Sequence, residues 1–207
     1  MMRLSFIIVS LLLWMGGPAY AEENNISEDN AMYKGKKVLV AFFSHTGENY
    51  GVGNIEKGNT HIIAEMIAEA AGGDIFEIVP VNAYPKTYNA CVEAARKEKD
   101  SSARPAVMHD IDVEEYDIVF LGYPNWWGDM PMPVYTFIEN HSWSGKMVVP
   151  FCTHEGSGLS RTEKYVADAC KGAQVGKGLA VRGTTAQNSR EQAKKTVLSW
   201  LSGLSFD

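Results

Sequence analysis

The chain has 207 residues, 45% hydrophobic and 21% charged, with a formal net charge of -6. That is enough apolar material for one full core, and the acidic balance argues against nucleic acid or an anionic membrane as partner. Three cysteines, with no CxxC, leave at least one thiol unpaired within the chain, and five histidines without paired spacing give no metal site.

The chain opens on Met1-Met2-Arg3 and an apolar run over residues 4–14, and an Ala-x-Ala pattern ends at Ala21. This predicts a secretory signal peptide, residues 1–21, cleaved after Ala21, and a periplasmic or secreted protein. The alternative is a membrane anchor, but the run is short of the ~20 residues a span needs. No cysteine stands at the cleavage site and one arginine precedes the run, so neither a lipoprotein nor a twin-arginine signal is expected. Residues 22–34 are polar and read as a flexible leader. Residues 35–207 form the domain.

Residues 37–43 are almost wholly apolar and predict a strand covered on both faces. Ser44, His45, Thr46 and Gly47 follow. A polar, turn-rich insert over residues 48–58 is expected to loop outward. A helix over 60–71, capped by Thr60, carries Ile62, Ile63, Met66 and Ile67 on one stripe and stops at Gly72-Gly73. A second strand spans 74–79 and a helix 88–99, and residues 101–115 are irregular. A third strand spans 116–122, an aromatic loop 123–131 and a short helix 133–140. A fourth strand spans 146–152, a Gly/hydroxyl loop 153–158 and a helix 159–170. A fifth strand lies within 175–182 and a last helix over 189–201. Cys152 and Cys170 then sit at opposite ends of the fourth helix, roughly 16 Å of rise apart, too far for a disulfide. All three cysteines read as small buried side chains.

Strand and helix alternate throughout, which predicts an α/β fold: a parallel sheet covered by helices on both faces. Ligands in such sheets sit beyond the carboxyl ends of the strands. The loops after strands one, three and four share that edge. In the first, Ser44, Thr46, Gly47, Asn59 and Thr60 leave N–H groups and hydroxyls near a helix start, the chemistry of a phosphate pocket. No Gly-x-x-x-x-Gly-Lys-[Ser/Thr] or Gly-x-Gly-x-x-Gly occurs there, so NTP hydrolysis and that type of dinucleotide site are disfavoured. In the second, Pro124, Asn125, Trp126, Trp127 and Gly128 offer indoles as a stacking surface and backbone for a polar ring edge. Either indole can instead plug the core. In the third, Thr153, His154, Glu155, Gly156, Ser157 and Gly158 offer flexible backbone. His154 and Glu155 read first as solvent-facing and second as proton-transfer groups.

With these three loops the chain resembles the flavodoxin-like superfamily, near its NAD(P)H:quinone oxidoreductase branch, over about residues 37–201. The phosphate-loop pattern Ser/Thr-x-Thr-Gly-Asn-Thr falls on Ser44, Thr46 and Gly47, then on Asn59 and Thr60, interrupted by the insert. The resemblance implies a three-layer αβα sandwich with a five-stranded parallel sheet in order 2-1-3-4-5. It implies noncovalent FMN held by the three loops, with Trp126 stacked on the ring. No side chain is required as a catalytic nucleophile.

The function expected is an exported FMN-binding redox protein that carries electrons or reduces a quinone-like acceptor; Tyr84, Tyr88, Trp127 and His154 are candidates for an acceptor site. The redox donor and acceptor are not specified by the sequence. No stable membrane anchor is expected, and a homodimer is compatible with the chain. One alternative is a flavin-free binding module, motivated by the broken phosphate loop. A serine hydrolase fits less well: Ser157 is not in Gly-x-Ser-x-Gly, and no histidine follows His154.

Overall fold

The structure is a computed structural model that describes Tyr33 and residues 35–205. The expected signal peptide and nearly all of the expected leader lie outside the described residues. Among those described, no helix is long and apolar enough to cross a membrane.

The elements run β1 (Val38–Phe42), β2 (Gly47–Asn49), β3 (Gly53–Ile55), α1 (Asn59–Ala71), β4 (Asp74–Glu77), α2 (Tyr88–Asp100), β5 (Ile118–Pro124) and α3 (Met132–Glu139). They continue with β6 (Met147–His154), α4 (Thr162–Ala169), β7 (Gln174–Val175), β8 (Leu179–Arg182), α5 (Gly183–Asn188) and α6 (Arg190–Leu201). The main sheet is parallel in order β4-β1-β5-β6, with β7 and β8 both pairing to the far side of β6. This is the expected 2-1-3-4-5 order with its fifth strand divided.

Side-chain alternation along the central strands explains the two helical layers. Leu39, Val119, Leu121 and Val148 enter one core with α2 and α3; Val40, Phe42, Phe120 and Phe151 enter the other with α1 and α6. Strands buried on both faces read as continuous apolar runs, and every residue of β1 is buried. Adjacent strands also approach closely. A Cβ on Gly122 would lie 2.1 Å from the Phe151 ring, so β5 needs glycine there.

Three sequence expectations are corrected. The single fifth strand is broken because the Gly178 N–H donates to Glu163 Oε1 at 2.8 Å, a side-chain acceptor in place of the ladder. The insert is not an outward loop; it is the antiparallel hairpin β2–β3. Helix α5 was unforeseen; its Gly-Thr-Thr start has low helix propensity. The three cysteines are free and buried, and burial pushes Cys91 up to about 11 and Cys152 and Cys170 up to about 12. These are inert thiols.

Candidate functional site

The loops after β1, β5 and β6 meet at the carboxyl edge of the sheet, and α2 closes one side. They bound a cavity of about 370 Å³, within the usual range for small-molecule sites.

Of the five residues expected from the first loop, Asn59 lines the cavity, joined by His45, Glu48, Asn49 and Tyr50. The other four have structural partners. Ser44 Oγ accepts the His61 N–H at 3.1 Å and so caps the first turn of α1. Thr60 does not cap the helix as expected: the N-cap is Gly58, and Thr60 lies inside the first turn. Its hydroxyl pairs with that of Thr153 at 2.8 Å, and both residues are buried. Thr46 Oγ1 accepts from the Lys86 ammonium. Gly47 has φ +103 and passes under the Lys86 carbonyl, which a Cβ would approach to 2.6 Å.

His45 is 8% exposed. One ring nitrogen, Nε2, lies 3.0 Å from the Pro85 carbonyl, and Nδ1 lies 3.4 Å from the Asn49 amide nitrogen. A proton on Nε2 satisfies both contacts. Burial, aided by the Lys86 charge, holds its pKa below the usual imidazole value, so the ring is neutral at pH 7.

The hairpin lies across the rim. Glu48 Oε2 accepts the Tyr88 N–H at 2.9 Å, placing its carboxylate at the positive end of α2. At the hairpin tip, a Cβ on Gly51 would lie 3.2 Å from the Thr184 methyl and 3.3 Å from the Glu155 side chain. The insert therefore bridges α2 and the third loop. Glu56 is exposed and outside the cavity wall.

In the second loop, Trp126 is edge-to-face with Tyr84 at 5.0 Å, Phe43 at 5.4 Å and His45 at 5.8 Å. It is packed against the core while still forming cavity wall. Trp127 does not plug the core; it is 49% exposed. The cause is a two-residue turn. Trp126 and Asp129 exchange backbone hydrogen bonds at 3.0 Å, and Trp127 and Gly128 between them have φ +57 and +74. Turns with both central residues at positive φ favour Asn-Gly, and a bulky residue there carries strain of about 1–2 kcal/mol. The indole Nε1–H donates to the Val92 carbonyl at 3.2 Å, and the Arg96 guanidinium lies 5.4 Å from the ring.

Asn125 joins the second and third loops. Its N–H donates to the Thr153 carbonyl at 2.8 Å, and Nδ2 donates to the Gly158 carbonyl at 2.7 Å and Ser160 Oγ at 3.0 Å. Its Oδ1 is buried and has no partner among the described residues, while Asn125 as a residue lines the cavity. An unpaired buried carbonyl oxygen is destabilising by about 1–3 kcal/mol, so this wall residue carries an acceptor left without a donor among the described residues.

His154 and Glu155 are not free loop residues, contrary to the first expectation. His154 Nδ1 accepts the Gly156 N–H at 2.8 Å, and burial and the Arg182 charge lower its pKa. Glu155 Oε1 accepts the Thr184 N–H at 2.5 Å and Oε2 the Thr184 hydroxyl at 3.1 Å, tying the loop to the start of α5. Thr153, His154, Glu155 and Ser157 line the cavity with Pro124, Asn125, Trp126 and Trp127. Gly128, Gly156 and Gly158 shape the loops without forming wall. Among the proposed acceptor residues, Tyr88, Trp127 and His154 reach the cavity. Tyr84 lies behind Trp126 and donates to the Glu98 carboxylate.

A parallel α/β sandwich with a ligand cavity at the carboxyl edge of its first, third and fourth main strands is thus defined. The sequence matches the flavodoxin family over residues 37–197, and the chain belongs to that family. Similar solved structures include a candidate flavoprotein from Bacteroides eggerthii, 29% identical with TM-score 0.66, covering 83% of this chain and 99% of that one. A candidate flavoprotein from Bacteroides uniformis is 32% identical with TM-score 0.60, covering 82% and 99%. A flavoprotein from Lactobacillus acidophilus, crystallised in complex with FMN, is 22% identical with TM-score 0.55, covering 72% and 95%. No curated protein matches the chain.

Proposed function

We propose that this chain is an FMN-binding redox protein, exported by its N-terminal segment, that passes electrons through a noncovalent flavin to a quinone-like acceptor. The observation that carries the reading is the cavity where three loops converge, with an aromatic wall and Asn125, which holds an unpaired acceptor, among its lining residues. The family membership and the FMN complex of a protein with this fold support the choice of ligand.

When bound, the flavin supplies the one- and two-electron chemistry. The chain's own residues bind and orient. Asn125 would offer its unpaired Oδ1 to the polar edge of the ring, and Trp126 would limit the ring's position. Asn49, Asn59 and the backbone before α1 serve the phosphate end. Glu48 and Glu155 line the cavity, but each carboxylate is tied to a helix N-terminus, through Tyr88 N–H and Thr184 N–H. That pairing offsets their repulsion of a phosphate.

A second reading, a flavin-free binding module, is favoured by one observation: the Thr60 hydroxyl is buried and paired with Thr153, leaving Ser44 and Thr46, whose oxygens accept from His61 N–H and Lys86, as the loop's hydroxyl donors. The absorption spectrum of the mature chain after incubation with FMN and gel filtration separates the two. Retained flavin bands support the redox reading, and a colourless protein supports the module. Adding NADH or NADPH to the yellow protein then distinguishes a reductase, which bleaches, from a carrier, which does not.

A further inference from the structure

His45 and Asn49 join the loop after β1 to the hairpin. His45 Nε2 lies 3.0 Å from the Pro85 carbonyl. A carbonyl only accepts, so Nε2 carries the proton and Nδ1 is bare. The Asn49 amide nitrogen lies 3.4 Å from that bare Nδ1, 3.1 Å from the Gly47 carbonyl and 3.5 Å from the His45 carbonyl. Turning the amide over would set its oxygen against two carbonyls and a ring lone pair. Its one usable orientation therefore requires a neutral ring. A second proton, on Nδ1, would set one N–H against another.

The hairpin has two strands of three residues each, too short to be stable alone. Its other ties run through Glu48, whose N–H donates to the Lys86 carbonyl at 2.7 Å and whose carboxylate accepts the Tyr88 N–H, while its tip abuts Glu155 and Thr184. Glu48, Asn49 and Tyr50 are cavity wall, so lifting the hairpin opens one side of the cavity.

We infer that the insert is a pH-sensitive strap: His45, while neutral, holds Asn49 and with it the hairpin across the cavity, and protonation of the ring releases the hairpin. Burial opposes the second proton, and so does the Lys86 charge on the segment before α2. On the hairpin, Glu48 is tied to Tyr88 N–H, and Glu56 is exposed and outside the cavity wall. In the third loop, His154 Nδ1 accepts the Gly156 N–H and Glu155 is bound to Thr184. On α2, Cys91 is pushed up to about 11 by burial. In α1, His61 is turned to Glu65 and Glu77. His45 is thus the titrating group that touches the strap, and His154 is the other histidine in the cavity wall.

The strap belongs to the chain with or without a flavin, so its test needs no ligand, and its failure leaves the FMN reading standing. Hydrogen–deuterium exchange of the ligand-free full chain is read by mass spectrometry at about pH 7.5 and about pH 5.5, on peptides covering the hairpin. Rates are corrected for the intrinsic pH dependence of amide exchange, and β5 peptides serve as the reference. An opening that frees His45 restores its ordinary titration near pH 6.5, so hairpin opening is expected to rise by about threefold to tenfold over that interval. In His45→Gln nothing titrates there, and the change falls below about twofold. In Asn49→Asp the sign reverses: the new carboxylate is repelled by the Gly47 carbonyl at neutral pH and pairs with the charged ring in acid, so protection rises. His154→Gln keeps the parent response. A parent hairpin that changes by less than about twofold, or is unprotected at both pH values, overturns the inference. So does a response that survives in His45→Gln or vanishes in His154→Gln. Should His45→Gln fail to fold, Asn49→Asp decides, and acid loosening retained in that variant overturns the inference.

Discussion

The Thr60–Thr153 pair is the most exacting point at which local chemistry meets site architecture. The two hydroxyls, 2.8 Å apart, join the first turn of α1 to the end of β6. Thr60 is 1% exposed and Thr153 3%, so water does not replace a lost partner. Thr60→Val keeps the shape and removes one hydroxyl. It loses a hydrogen bond of about 1 kcal/mol and leaves Thr153 Oγ1 buried and unpaired, a penalty of about 1–3 kcal/mol. We expect a loss near 2 kcal/mol, or about 4–8 °C in Tm for a domain of this size. Thr153→Val should behave alike. The double variant replaces a polar pair with two methyl groups in contact and should lose about 1 kcal/mol or less. Urea unfolding of the FMN-free chain, analysed as a double-mutant cycle, measures this. A double variant as destabilised as the sum of the singles would refute the claim that the two hydroxyls satisfy each other.

Gly122→Ala should destabilise by about 2–3 kcal/mol or more, because the new methyl meets the Phe151 ring at 2.1 Å; thermal unfolding reads this directly. Acidification should weaken the fold through His45. Its folded pKa lies below the unfolded value, so the unfolded chain binds the extra proton first. Stability is full above about pH 6.5 and falls as pH drops from there toward the folded pKa, and His45→Gln should flatten that slope in a pH series of urea midpoints. Asn125→Ala removes the unpaired acceptor and the tie to Gly158. It should raise the Kd for FMN by about tenfold, measured by flavin fluorescence.

The main sheet was legible because buried parallel strands need runs such as Val38–Phe42, which few other structures tolerate. The alternation of those runs with amphipathic helices then left little choice of topology. Detail was lost where the backbone bonds to distant side chains. Glu163 interrupts the fifth strand at Gly178, and Glu155 starts α5, both from elements far along the chain. The candidate site was legible as three loops, and in the second and third also as wall residues such as Asn125, Trp126, Trp127, Thr153 and Glu155; the first loop was less so. Thr60 read as a free donor because its partner Thr153 is brought to it only by tertiary packing, and the same packing gives the Ser44 and Thr46 oxygens the His61 N–H and Lys86 to accept from. Asn49 and Tyr50 were missed as cavity wall because the insert read as turns, and His45 because it fell on the unspecified position between Ser44 and Thr46 in the phosphate-loop pattern. The signal that marked its hairpin was the Asn49-Tyr50-Gly51 turn between two short extended segments. The outward Trp127 had a legible cause in Trp127-Gly128, a dipeptide placed where Asn-Gly is usual.

The most direct measurement is a titration of the purified chain with FMN, followed by quenching of flavin fluorescence. The account predicts saturation at one FMN per chain with sub-micromolar Kd, and a weaker response in Asn125→Ala. Fluorescence unchanged by stoichiometric protein, or a Kd weaker than about micromolar, would contradict the claim that these loops enclose a flavin.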